Sequence, residues 1–99
     1  CAWAREMGLP IGGIVLAHNA NRTVPDFLAG GEWQPRASVA TLASAMDVGD
    51  PSNMERLMAL WPGPAAMAGR LRALSIDDAT IRESIRAEFG RAGLMVCPH

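Results

Sequence analysis

The chain has 99 residues, of which 49% are hydrophobic and 19% charged, with a net charge of −1. Those values bound it at one domain or less and exclude a disordered polymer. The near-neutral balance gives no electrostatic footprint for DNA or RNA, and no apolar run approaches the roughly 18–20 residues of a membrane span. No basic start followed by an apolar stretch marks a signal peptide. All nine basic residues are arginine. Without lysine the chain cannot itself form a Schiff base with a carbonyl compound.

Residues 2–7 favour helix, and Gly8 followed by Pro10 stops it. The run Ile11 to Ala17 is short, apolar on both sides and β-branched, the pattern of a strand buried in a parallel sheet. A helix feeding such a strand reads as the second half of a βαβ unit, so the partner strand is expected before residue 1. Thr23-Val-Pro-Asp26 reads as a helix start with Thr23 as cap, and Gly30-Gly31 as its end. Residues 32–48 show no clear period.

Asp50-Pro51-Ser52-Asn53-Met54-Glu55 is a strong helix N-terminus, with Ser52 and Glu55 spaced as a capping box and Asp50 as an alternative cap. Met54, Leu57, Met58 and Trp61 then recur at helical spacing until Pro62-Gly63-Pro64. Ala65 to Leu74 reads as a short helix with Met67, Leu71 and Leu74 inward. A last helix begins within Ser75 to Asp78, carries Ile81, Ile85 and Phe89 on one face, and closes at Gly93; Asp78 and Arg82 are spaced to pair. No second strand is legible downstream.

The chemistry-bearing residues each have a plain structural reading beside the functional one. Asn19 and Asn21 lie just past the carboxyl end of the strand, where open α/β sheets bind ligands, yet asparagine is also a common turn former. Ser52 and Asn53 with Arg56 set hydroxyl, amide and guanidinium groups at a helix start, suited to phosphate or carboxylate, and equally to ordinary capping. His99 follows Pro98 and reads by itself as a solvated side chain. Two cysteines, Cys1 and Cys97, form no metal-spaced pair; a disulfide between them is open only to an exported protein. No nucleophile–base–acid set can be drawn. Gly12-Gly13 precedes the strand rather than following it, so no phosphate loop is present.

Several stretches together resemble the threonine synthase family, pyridoxal-phosphate enzymes of fold type II. They are Gly8-Leu-Pro-Ile11, Ala17-His-Asn-Ala-Asn21, Thr23 to Trp33, Thr41-Leu-Ala-Ser-Ala-Met-Asp47-Val, Pro51-Ser-Asn-Met-Glu-Arg56 and Pro98-His99. The family often has threonine where His18 stands and aspartate where Arg22 stands. The resemblance implies an α/β fold in which residues 1–99 are an internal, mostly helical segment of the large domain with one buried strand, continuing on both sides. It implies a cytoplasmic enzyme of threonine biosynthesis, a lyase converting O-phospho-L-homoserine and water to L-threonine and phosphate. Pyridoxal 5'-phosphate is its cofactor, with the Schiff-base lysine outside this segment. It carries over Asn19, Asn21, Ser52, Asn53, Arg56 and His99 as substrate-side candidates, and assigns no catalytic, cofactor-binding or metal residue here. The segment alone is then expected to be inactive and prone to self-association. A free-standing helical module that docks a partner remains the alternative.

Overall fold

A computed structural model describes all residues, 1–99. Helix α1 (Ala2–Glu6) leads through Gly8, at φ +95°, to strand β1 (Ile14–His18). Helix α2 (Thr23–Leu28), a 3-10 turn at Ser44–Met46, helix α3 (Met54–Leu60) and helix α4 (Pro64–Ala68) follow. Strand β2 (Leu71–Ser75) then leads into the 15-residue helix α5 (Asp78–Ala92). The class is α/β, as expected.

One parallel partner for β1 lies within the chain. β2 pairs in parallel with β1, in a register running from Ile14 opposite Leu71 to His18 opposite Ser75. The Ile76 amide extends the ladder by donating to the His18 carbonyl at 2.8 Å. This corrects two expectations: the helix begun near Ala65 ends at Ala68, and the sheet has two strands rather than one. Leu71 and Leu74 are spaced for a helix, but residues 71–75 alternate between more and less covered positions, as a strand should. β1 is also less buried than expected. Val15 and Ala17 are exposed, because α2 and α4 cover only the other face.

The core is small: Val24, Phe27, Met54, Trp61, Met67 and Leu71. It joins α2, α3, α4 and β2, and Ile14 and Leu16 of β1 pack against it. Phe27 meets Trp33 edge-on at 5.5 Å, and the guanidinium groups of Arg5 and Arg70 lie 5.9 and 5.7 Å from the Trp61 ring. The stripe Met54, Leu57, Met58 and Trp61 is core packing, as its spacing predicts.

Three local expectations about caps and pairs are corrected. Thr23 does not cap α2; its hydroxyl donates to the Gly49 carbonyl at 2.8 Å, and Arg22 holds the cap position. Ser52 and Glu55 form no capping box. Residues 51–53 already turn, so the first amides of α3 reach the carbonyls of Pro51, Ser52 and Asn53 instead of a side chain. Asp78 does not pair with Arg82; one of its oxygens accepts from the Leu42 amide at 3.0 Å and ties the long connection to α5.

Helix α5 starts where expected and ends on Gly93, which takes the left-handed conformation at φ +67°. Asp77 caps it by accepting from the Thr80 amide at 2.8 Å. The bonds from Thr80 hold the Asp77 carboxyl below the usual carboxylate range. The stabilising effect is therefore complete above that range and is lost as pH falls through the folded value. Asp77→Ala should lower the urea midpoint of α5, read by circular dichroism, at pH 7; the deficit should fade as the wild type is acidified. Cys1 and Cys97 are free thiols.

Candidate functional site

The sheet ends at His18, and the next residues turn back on themselves. The Asn21 amide donates to the Asn19 side-chain oxygen at 2.9 Å, so the turn reading of these asparagines holds. Their side chains do more than turn the chain. Asn21 exchanges two hydrogen bonds with residue 39: its Nδ2 donates to the Val39 carbonyl at 2.9 Å and its Oδ1 accepts from the Val39 amide at 2.8 Å. The side-chain amide thus replaces one rung of backbone pairing for a segment with no strand partner.

Asn19 points its Nδ2 at Asp47 Oδ1 (2.8 Å), Thr41 Oγ1 (2.9 Å) and the Ala43 carbonyl (3.3 Å). Asp47 also accepts from the Thr41 hydroxyl at 2.7 Å and the Thr41 amide at 3.0 Å. Both asparagines are buried. The Thr41 hydroxyl, above all, holds the Asp47 carboxyl below its usual range, with help from the Thr41 amide and Asn19, against the opposing effect of burial. The stretch 36–49 is closed at its far end by Gly49. Its carbonyl accepts from Thr23 and from the Arg36 amide, and a Cβ there would lie 2.0 Å from the Arg36 carbonyl oxygen, so only glycine fits.

Two concavities flank the end of β1. The larger, about 600 Å³, opens between the strand end and the turn into α3; His18, Asp50, Ser52 and Asn53 are polar residues of its otherwise mostly apolar wall. The smaller, about 160 Å³, lies between His18, Met46, Ile81 and His99. His18 borders both, and its Nε2 is buried without a hydrogen-bond partner. Desolvation lowers the imidazole pKa below the ordinary histidine value.

The six residues picked from the sequence therefore separate. Ser52, Asn53 and Asn21 line the larger cleft, though the Asn21 amide is fully engaged within the chain. Asn19 and His99 border the smaller pocket. His99 is exposed, but its Nε2 accepts from the Ala45 amide at 2.9 Å and its Nδ1 lies 2.9 Å from the Cys97 sulfur. Arg56 is exposed on α3 and borders neither concavity. Sequence reasoning missed Asp47, Thr41 and Gly49 as the residues that fix the wall, and His18 as the one shared by both pockets. An aspartate ending an otherwise small, apolar run was the available signal for Asp47.

The residues present do not fit pyridoxal phosphate. The chain has no lysine, and Gly12 and Gly13 precede β1 with open space where their Cβ atoms would be, so they form no close cradle. The charged residue bordering the larger cleft is Asp50, of the wrong sign for a cofactor phosphate. No group of histidine, cysteine or carboxylate side chains is arranged to hold a metal ion. No helix is long and apolar enough to cross a membrane.

No family profile matches the sequence. Curated relatives do. Threonine synthase of Serratia marcescens is 40% identical over 96 residues, and that of Escherichia coli K12 is 38% identical over the same length. Each alignment takes in 97% of this chain and 22% of the relative, so the chain spans about a fifth of the length of the relatives it matches. The crystal structure of threonine synthase from Escherichia coli superposes with a TM-score of 0.78 at 36% identity, covering 99% of this chain and 23% of that one.

Proposed function

The chain belongs to the threonine synthase family, and from that premise we propose that it forms the substrate-side wall of an enzyme making L-threonine and phosphate from O-phospho-L-homoserine and water. The observation that carries the reading is the position of the larger cleft. It lies at the carboxyl end of a parallel strand, where α/β proteins seat ligands, and a dedicated polar network fixes its wall. In this reading Asn19 and Asn21 hold the wall rigid. Ser52 and Asn53 offer a hydroxyl and an amide to the substrate. Arg56, at the surface of the same helix, and His99, beside the smaller pocket, bound the site from outside.

The cofactor, which supplies the electron sink for the chemistry, is then bound by residues other than these 99. The surface supports a segment packed inside a larger domain. A folded monomer of 10.5 kDa exposes about 5,400 Å², whereas this chain exposes 6523 Å². The excess carries Trp3, Leu9, Val15, Leu74 and Phe89, each about half exposed.

The direct test supplies the 99-residue chain with pyridoxal phosphate and O-phospho-L-homoserine. No threonine should form, and borohydride should fix no cofactor on the chain through a lysine. Turnover by the isolated chain would overturn the reading.

A further inference from the structure

The larger cleft runs along a margin of the sheet. Val15 to His18, consecutive residues of β1, line it, and no residue of β2 does. Side chains alternate between the faces of a sheet, so only the margin turned away from β2 is bordered by all four. The ladder fixes which peptide groups lie there. The His18 carbonyl accepts from the Ile76 amide on the β2 side. Peptide groups also alternate along a strand, so those of Ile14, Leu16 and His18 face β2, and those of Val15 and Ala17 face the cleft. Val15 and Ala17 are exposed, and in a sheet of two strands their N–H and C=O groups meet no partner within the chain. Such a margin is a template for a further strand.

We propose that the part of the cleft beside Val15 and Ala17 accepts one more strand, apolar and parallel to β1, supplied by a stretch of the longer polypeptide that precedes α1. Three observations select this occupant. The chain spans 22% of the length of its relatives, so ample chain lies outside it. α1 leads directly into β1, and a helix in that place is the return half of a crossover from a neighbouring parallel strand. Val24, Met46, Val48, Met54 and Leu57 give the cleft apolar walls, as a parallel strand buried on both faces requires.

This rests on the reading of the chain as one wall of a longer enzyme, and it divides the cleft in two. The added strand fills the length beside Val15 and Ala17, which then meet protein rather than ligand. The polar mouth at Ser52 and Asn53, on the turn into α3, stays open. It then lies at the carboxyl ends of two neighbouring parallel strands, where an α/β sheet leaves its ligand crevice.

Amide hydrogen exchange at single residues tests this, in the 99-residue chain and in an Escherichia coli threonine synthase carrying it in place of the corresponding segment. In the isolated chain Leu16 and His18 should be protected by β2, while Val15 and Ala17 exchange near the unfolded rate. In the cofactor-loaded hybrid Val15 and Ala17 should slow by about a thousandfold or more, as interior strands do. Ala17→Pro deletes an N–H at the open margin. It should leave the urea midpoint of the isolated chain nearly unchanged and lower that of the hybrid, whereas Leu16→Pro, which deletes an N–H bonded to β2, should damage both. Free exchange at Val15 and Ala17 in the folded hybrid overturns the proposal. So does an Ala17→Pro hybrid as stable as its parent, since a covering helix or loop needs no N–H from β1. Protection that rises with the concentration of the isolated chain assigns the margin to a second copy and also overturns it. If the isolated chain shows no protected amides, the hybrid and its Ala17→Pro variant decide alone. Protection in a hybrid that makes no threonine supports the strand and counts against the proposed function. Free exchange in an active hybrid overturns the strand and leaves that function standing.

Discussion

Trp61→Ala should cost about 3–5 kcal/mol, the range for emptying a large aromatic site in a core, and should abolish cooperative unfolding of the isolated chain. Trp61 is 3% exposed and sits in a core of only six buried residues. It also lies under the guanidinium groups of Arg5 and Arg70, so its loss unties α1 and the chain entering β2 together. Few other contacts are present to hold α3 and α4 against the sheet. The informative control is Trp61→Phe. The indole Nε1 is buried without a hydrogen-bond partner, so phenylalanine removes a polar atom that gains nothing in the fold. Urea melts should show Trp61→Phe close to wild type and Trp61→Ala without a transition. Equal losses for both would mean that the ring's size is not what the core depends on.

Asn19→Ala should be the next most damaging change, at about 3 kcal/mol. Its loss strands the buried Asn21 amide and weakens the links to Thr41 and Asp47, each orphaned buried group costing about 1–3 kcal/mol. Unlike the tryptophan, this change acts on the site rather than on the core. The stretch 39–47 should detach from the end of β1, detected as rapid amide exchange at Val39 and Thr41, whose amides bond Asn21 and Asp47. Acid should mimic it in part. The Asp47 carboxyl is held below its usual range, so its contribution is intact above that range and is lost as pH falls through the folded value. Asp47→Asn should therefore weaken the protein at pH 7, with the difference from wild type shrinking towards strong acid.

The elements with a strong local signal were legible in the sequence. α3 and α5 carry apolar residues at three- and four-residue spacing between clear breakers, and β1 is a short β-branched run. β2 was not legible. Leu71-Arg-Ala-Leu-Ser75 has no β-branched residue and places its two leucines at helical spacing; it becomes a strand because β1 offers it a parallel edge 57 residues away in register, from Ile14 to Leu71. The site divides along the same line. Asn19 and Asn21 could be picked out because they end a strand. Their partners could not, since Val39, Thr41 and Asp47 lie 18–28 residues downstream in a stretch without period. The failed capping box at Ser52 has a local cause: backbone carbonyls of the preceding turn satisfied the helix amides first.

The central claim is that these 99 residues serve as the substrate-side wall of a threonine synthase. The most direct measurement replaces the corresponding segment of the Escherichia coli enzyme, which this chain overlays at a TM-score of 0.78. The purified, cofactor-loaded hybrid is then assayed for threonine and phosphate from O-phospho-L-homoserine. The account predicts equimolar threonine and phosphate, with turnover lost when Asn19→Ala is added. A folded hybrid that holds its cofactor and forms no threonine would contradict it.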